Sequence, residues 1–167
     1  MAACKHLLID GYNIIHAWPD LHTVLVADLE AAVQRLCGAV RVIHDFEGVR
    51  TTIVLDGKSD EIAIERPSGQ LSFSCLYTPH GVTADCLIEQ LVGNARDPAA
   101  VCVATDDAMI RESVSAAGAL ALSSGGLLDW AEACGERQGE YLSRYRARHD
   151  NQWRTDRGVR GDGGKES

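Results

Sequence analysis

Short apolar runs that stop on an aspartate recur along this chain, and they restrict what it can fold into. Leu7-Leu8-Ile9 ends at Asp10, Ile53-Val54-Leu55 ends at Asp56, and Val101 to Thr105 ends at Asp106-Asp107. Runs this short and continuously apolar suit strands buried on both faces. Helical patterns separate them, so they belong to a parallel sheet with right-handed crossovers. In an open sheet of that kind the carboxyl ends of the strands line one crevice, where ligands bind. The aspartates, distant in sequence, should meet at that rim. Asp85 and Glu89, which open a helix just after the apolar run Leu71 to Thr78, should join them. Gathered carboxylates repel one another and call for a cation. A hard divalent ion held by oxygen is the natural candidate, and it points toward phosphodiester chemistry.

The periodicity places five strands, at roughly 5–10, 51–55, 71–77, 100–105 and 119–122. The alternation in Leu71 to Tyr77 reads as a strand near an edge. Asp10-Gly11-Tyr12-Asn13 reads as a turn. Leu25, Leu29, Ala32, Val33, Leu36, Val40 and Ile43 recur at helical spacing, which predicts one helix over roughly 24–46 with Gly48 as its stop. The polar stretch 58–70, with Pro67 and Gly69, reads as a loop. Thr83 is a good N-cap for a helix over roughly 84–95. Asp106 is expected to cap a short helix running to about Ala117. Ser123 or Ser124 is expected to cap another over roughly 126–136, and an arginine-rich helix should cover roughly 138–152. The Gly-rich end from Gly158 reads as disordered.

Composition excludes several classes. A chain of 167 residues, 46% hydrophobic and 24% charged, suits one domain with a real core. No apolar run approaches the ~20 residues of a membrane span, and a strand pattern that begins almost at the first residue leaves no room for a signal peptide. Six scattered cysteines without CxxC spacing do not read as a zinc site, and most of them read as reduced core thiols of a cytoplasmic protein. The six histidines form no ligand motif. No GxxxxGK[ST] follows a strand, and GxGxxG and GxSxG are absent. Charge is uneven: residues 141–167 carry seven basic groups against four acids, a net of +3, so a chain at −8 overall leaves −11 on residues 1–140. A polyanion contact is therefore expected on that end, around Arg144, Arg146 and Arg148. The competing reading is a solvated helix.

Each acid also has a bland explanation. Asp10 could form an Asx-turn into Gly11, although a carboxylate ending a central strand is costly unless paired or metal-bound. Asn13 could orient Asp10 or a water, or simply cap the following turn. Asp85 and Glu89 share a helix face at i, i+4; the helix dipole accounts for Asp85 better than for Glu89. Of Asp106 and Asp107, one caps and one faces the crevice, and spacing does not say which. Asp56-Gly57 reads as a turn pair of structural or peripheral role.

Taken in order, Leu8-Ile9-Asp10-Gly11-Tyr12-Asn13, His16-Ala17-Trp18-Pro19, Val54-Leu55-Asp56, Thr83-Ala84-Asp85 with Ile88-Glu89, Val103-Ala104-Thr105-Asp106-Asp107 and Gly118-Ala119 resemble the YacP-like branch of NYN-domain nucleases, within the PIN-like group. The resemblance covers roughly residues 5–150. It implies a three-layer α/β fold, with about five mostly parallel strands and helices on both faces. It implies a nuclease domain over 1–153, with 154–167 as a disordered tail. The activity implied is that of a metal-dependent endoribonuclease using Mg²⁺ or Mn²⁺; some members associate with the ribosome and cut messenger RNA. Carried over by motif, the metal-site acids are Asp10, Asp85 and Asp107, supported by Glu89 and Asn13. Asp107 falls on the acidic position of the Thr-x-Asp motif and Asp106 on the variable one. One departure stands out: where many PIN-like sites have a further acid after the last strand, this chain has Ser123-Ser124-Gly125-Gly126, and Asp129 is the nearest acid. That implies one tightly held metal, with a second bound weakly or only with RNA. Arg144, Arg146 and Arg148 would meet the RNA or ribosomal RNA backbone. The rival readings are a non-catalytic RNA- or ribosome-binding module and a DNA-directed nuclease on the same fold. Oligomeric state is not legible.

Overall fold

The computed structural model describes residues 3–159, with residue 145 and residues 149–159 described by backbone alone. Its centre is a sheet of six strands: β1 (His6–Asp10), β2 (Arg50–Leu55), β3 (Ala63–Glu65), β4 (Phe73–Tyr77), β5 (Val101–Ala104) and β6 (Leu120–Leu122), in the order β3-β4-β2-β1-β5-β6. All pairs are parallel except β3 with β4. The expected mostly parallel sheet is present with one more strand than the five read from sequence. The sixth, β3, lies inside the stretch expected to be a loop. Three residues are too few to show a period, and β3 exists because β4 offers it an edge. Consequently β4 lies one strand in from the edge.

Among the described residues six α-helices cover the two faces: α1 (Gly11–Ala17), α2 (Pro19–Ala27), α3 (Leu29–Glu47), α4 (Ala84–Gly93), α5 (Ala108–Ala116) and α6 (Ser124–Val159). Alternate residues of β1 divide between them. Leu7 and Ile9 pack with Ile14, Leu36, Val40, Ile43, Leu127 and Trp130 from α1, α3 and α6. Leu8 packs with Leu87, Ile88, Ile110 and Val114 from α4 and α5. That period of two, with burial on both sides, is why the strands read as unbroken apolar runs.

Three helix boundaries differ from the sequence reading. Asp10 to Asn13 is not a free turn, because α1 begins at Gly11. The single helix expected over 24–46 is two, divided at Asp28. There the backbone extends (φ −157°) and the Asp28 carboxylate accepts from the Ala31 N–H at 3.2 Å, so α3 has its own N-cap. The apolar positions keep helical spacing across the break, which conceals it. The two helices expected after residue 126 are one, α6, whose first half packs on α3 through Leu127, Trp130, Ala131 and Cys134. Arg137 secures this packing, reaching Glu47 at 2.7 Å and lying 4.8 Å above the Phe46 ring. Helix α6 continues to Val159, past residue 152 where the last helix was expected to end; of the tail expected to be disordered, residues 160–167 lie outside the described residues.

Candidate active site

Strand register brings the acids to one rim. Asp10, the last residue of β1, is level with Val54 of β2, and Ile9 is level with Ala104 of β5. The three central strands therefore stop together, and Asp10, Asp56 and Asp107 emerge from adjacent ends. Gly11 permits this closeness. A Cβ there would lie 2.4 Å from the Leu55 side chain and 3.0 Å from the Val54 carbonyl oxygen. Asp85 arrives from the side, in the first turn of α4.

Asp10 is only 6% exposed. It occupies the N-cap position of α1, yet its side chain makes no cap bond. Its carboxylate instead accepts from the Thr105 hydroxyl at 3.1 Å. That same hydroxyl oxygen accepts from the Asp107 N–H at 3.1 Å, and the Thr105 carbonyl accepts from Arg111 at 3.0 Å. Thr105, fully buried, thus sets Asp10 relative to Asp107. Asp56 accepts from the Ala84 N–H at 2.8 Å and pins the start of α4, while Thr83 caps it through the Cys86 N–H at 3.2 Å. These bonds satisfy free N–H groups of the helix and fix where Asp85 stands.

The titration of the acids reports their crowding. Burial, and then the charge of Asp85, push the Asp10 carboxyl up to about 6; the Thr105 hydrogen bond opposes this, and Asp56 and Asp107 add to it. Burial, followed by Asp107 and Asp56, also raises Asp85; a hydrogen bond to Asp10 works the other way, and Glu89 adds a smaller push. Four carboxylates from four segments therefore share one field, with Glu89 exposed at its edge. Among the described residues no Lys or Arg forms an ion pair with Asp10, Asp56, Asp85 or Asp107.

Several expectations change. Asp107, not Asp106, caps α5: its Oδ1 accepts from Met109 N–H at 2.9 Å and Ile110 N–H at 3.4 Å. Asp106 turns away and accepts from the N–H (2.8 Å) and hydroxyl (2.5 Å) of Ser124, which hold its carboxyl below the ordinary value. The serine pair after the last strand therefore serves to latch the start of α6. Among the described residues Asn13 is hydrogen-bonded to Asp106 rather than to Asp10: it accepts from the Asp106 N–H at 2.9 Å and ties α1 to the fifth strand's end. Asp56, read as structural or peripheral, has the structural role of holding the start of α4, and it also stands within the cluster. Thr105 was passed over, although a threonine directly before two strand-end aspartates was the available signal. Asp129 is exposed on α6. Arg144, Arg146 and Arg148 are exposed further along α6, and among the described residues nothing joins them to the cluster or to acids of the body.

The donor set consists of carboxylates, which hard divalent cations prefer. Among the described residues, no three acids close into a ready-made cage. An open set of this kind suits an ion that retains much of its water shell, as Mg²⁺ does. The unbalanced charge on buried Asp10 is the feature such an ion would relieve.

Comparison with known proteins bears on this arrangement. The model of the YacP-like NYN domain matches residues 7–157. A protein named YacP from Bacillus subtilis (strain 168) is 30% identical over 123 residues, which is 73% of this chain and 72% of that protein. Two crystal structures of Rae1 (YacP) from Bacillus subtilis share the fold. A mutant form superposes with a TM-score of 0.72 at 26% identity, covering 86% of this chain and 84% of its own. The other gives 0.65 at 25% identity, covering 93% and 95%.

Proposed function

The chain belongs to the YacP-like NYN family, a branch of the PIN-like nucleases, and from that premise we propose that it is a metal-dependent endoribonuclease. The observation that carries this reading is the convergence of Asp10, Asp56, Asp85 and Asp107 on one rim, with the most buried of them pushed up to about 6 by its surroundings. Asp10, Asp85 and Asp107 would hold Mg²⁺ or Mn²⁺, with Asp56 close by. A bound ion would acidify a water and offset charge at the scissile phosphate. The protein's own part is positioning. Thr105 holds Asp10 against Asp107, and Asp56 holds the α4 terminus that presents Asp85. Glu89, one turn beyond Asp85, extends the acidic rim outward.

The exposed Arg144, Arg146 and Arg148 supply cationic surface on a chain that is otherwise strongly acidic. They would contact the phosphates of messenger RNA or of the ribosome, which position a complex without reading sequence. A cytoplasmic location goes with that role; among the described residues no helix is long and apolar enough to cross a membrane. The test is cleavage of matched RNA and DNA strands with Mg²⁺, with Mn²⁺ and with EDTA, by the parent and by Asp10→Asn and Asp85→Asn. RNA cleavage that needs the ion and is lost in both variants is expected. Equal cleavage by all three proteins, or cleavage of DNA alone, overturns the reading. Neutralising the three arginines should weaken RNA or ribosome association, more so at low salt, and leave melting unchanged.

A further inference from the structure

Parallel strands are ordinarily joined through a helix, but the connection from β2 to β4 carries only the small strand β3. A groove of about 880 Å³ remains between α3 and β4, within the size range of small-ligand sites. Cys37 and Gly38 of α3 line one side; Tyr77, Glu65 and Arg66 line the other, and Tyr12 joins them. None of the rim acids lines it, yet it reaches their neighbourhood. Tyr77 is level with Leu55, one residue before Asp56, and Tyr12 follows Asp10 by two.

The lining indicates the occupant. It is mostly apolar, with two half-buried phenols, which suits a flat uncharged ring with polar edges. Of its two arginines, Arg41 is held by Asp45 at 3.3 Å, whereas exposed Arg66 pairs with no acid among the described residues. An unpaired guanidinium beside an aromatic, mostly apolar groove fits a nucleotide, with its base inside and its phosphate outside. We infer that this groove receives one base of the RNA strand flanking the scissile phosphate, with Tyr12 and Tyr77 against the base and Arg66 at its phosphate. The inference rests on the endoribonuclease reading and adds a base subsite to it.

Gly38 provides the test. It lies inside α3, lines the groove, and a Cβ there meets nothing within 4 Å. Gly38→Trp should therefore fold and fill the groove, and Gly38→Ala should leave it open. Both are made in the full chain on an Asp10→Asn background for binding and on the parent background for cleavage. The probe is an RNA of about ten nucleotides, with an abasic residue placed at each position in turn. In the parent and in Gly38→Ala, one position near the cut should cost about fivefold or more in affinity when abasic, the least that a stacked base is worth. In Gly38→Trp that penalty should vanish while the melting temperature holds. An abasic scan that is flat in the parent, or the same in Gly38→Trp, overturns the subsite even if RNA is cleaved normally. Failure of the parent to bind or cleave RNA overturns the nuclease reading and the subsite with it. A change in oligomeric state in Gly38→Trp with an unchanged scan assigns the groove to a second copy and likewise overturns the inference.

Discussion

Replacing Asp10 with asparagine should make the metal-free protein more stable, in a way that depends on pH. The folded protein holds this carboxyl at about 6 against an ordinary 3.8, chiefly by burial and by the charge of Asp85. Between those values the folded state keeps a proton that the unfolded chain has released. Stability therefore falls as pH rises through the window and stays lower above it. At 1.36 kcal/mol per pH unit, the cost to the folded parent approaches about 3 kcal/mol by pH 7. Asparagine cannot ionise, and its side-chain oxygen can still accept from the Thr105 hydroxyl. The stability difference between variant and parent should be near zero at pH 4 and grow toward that ceiling by pH 7. For a domain of this size that amounts to roughly 6–12 °C in melting temperature. Melting curves of both proteins in EDTA, from pH 4 to 8, supply the measurement. His6, which burial holds down at about 4, pulls the pH dependence of each protein the other way but cancels in their difference. A difference that is flat with pH, or a variant that melts below the parent at pH 7, refutes the reasoning. Adding Mg²⁺ at pH 7 should then stabilise the parent more than the variant; equal shifts would remove Asp10 from the metal site.

The paired aspartates should separate by chemistry. Asp107→Asn keeps a cap for α5 and should lose cleavage with little loss of stability, whereas Asp107→Ala should lose ~1 kcal/mol as well, read by activity beside urea unfolding. Asp106→Ala should instead loosen the start of α6, costing ~1–2 kcal/mol at pH 7, and that cost should shrink on acidification because Ser124 holds the folded carboxyl below its ordinary value. Gly11→Ala would press a methyl into Leu55 and should cost about 1–3 kcal/mol while displacing Asp10; a variant with parental melting and activity would contradict the close approach of α1 to β2. Gly38→Ala, in open space within α3, should raise stability by about 0.5–1 kcal/mol in the same measurement.

The strand-end aspartates were legible because two local patterns coincide. A strand buried on both faces is a continuous apolar run, and a carboxylate is what ends it. That sufficed for the parallel sheet, its two covered faces, the Thr83 cap, and the meeting of Asp10, Asp85 and one of the Asp106-Asp107 pair at one rim; the choice of Asp107 came only with the family resemblance. The misreadings arose where local pattern has nothing to distinguish alternatives. Helical spacing runs unbroken through Asp28, so only the extended backbone there separates α2 from α3. Asp106 and Asp107 are chemically identical neighbours. Their division of labour follows from Ser124, 18 residues away from Asp106, which supplies two donors to one of them and leaves the other to cap α5. Asp56 looked like a turn residue because its partner, the Ala84 N–H, is 28 residues on. Strand β3, and the groove beside it, come from an edge and a missing crossover helix that no periodicity records. Sequence alone thus determined most of the elements and the carboxylates that stand at their ends, since both depend on neighbours along the chain. Tertiary structure alone decided which carboxylate each hydrogen bond reaches, how buried Asp10 is, and where a cavity remains, because those depend on partners that meet only when the sheet has closed.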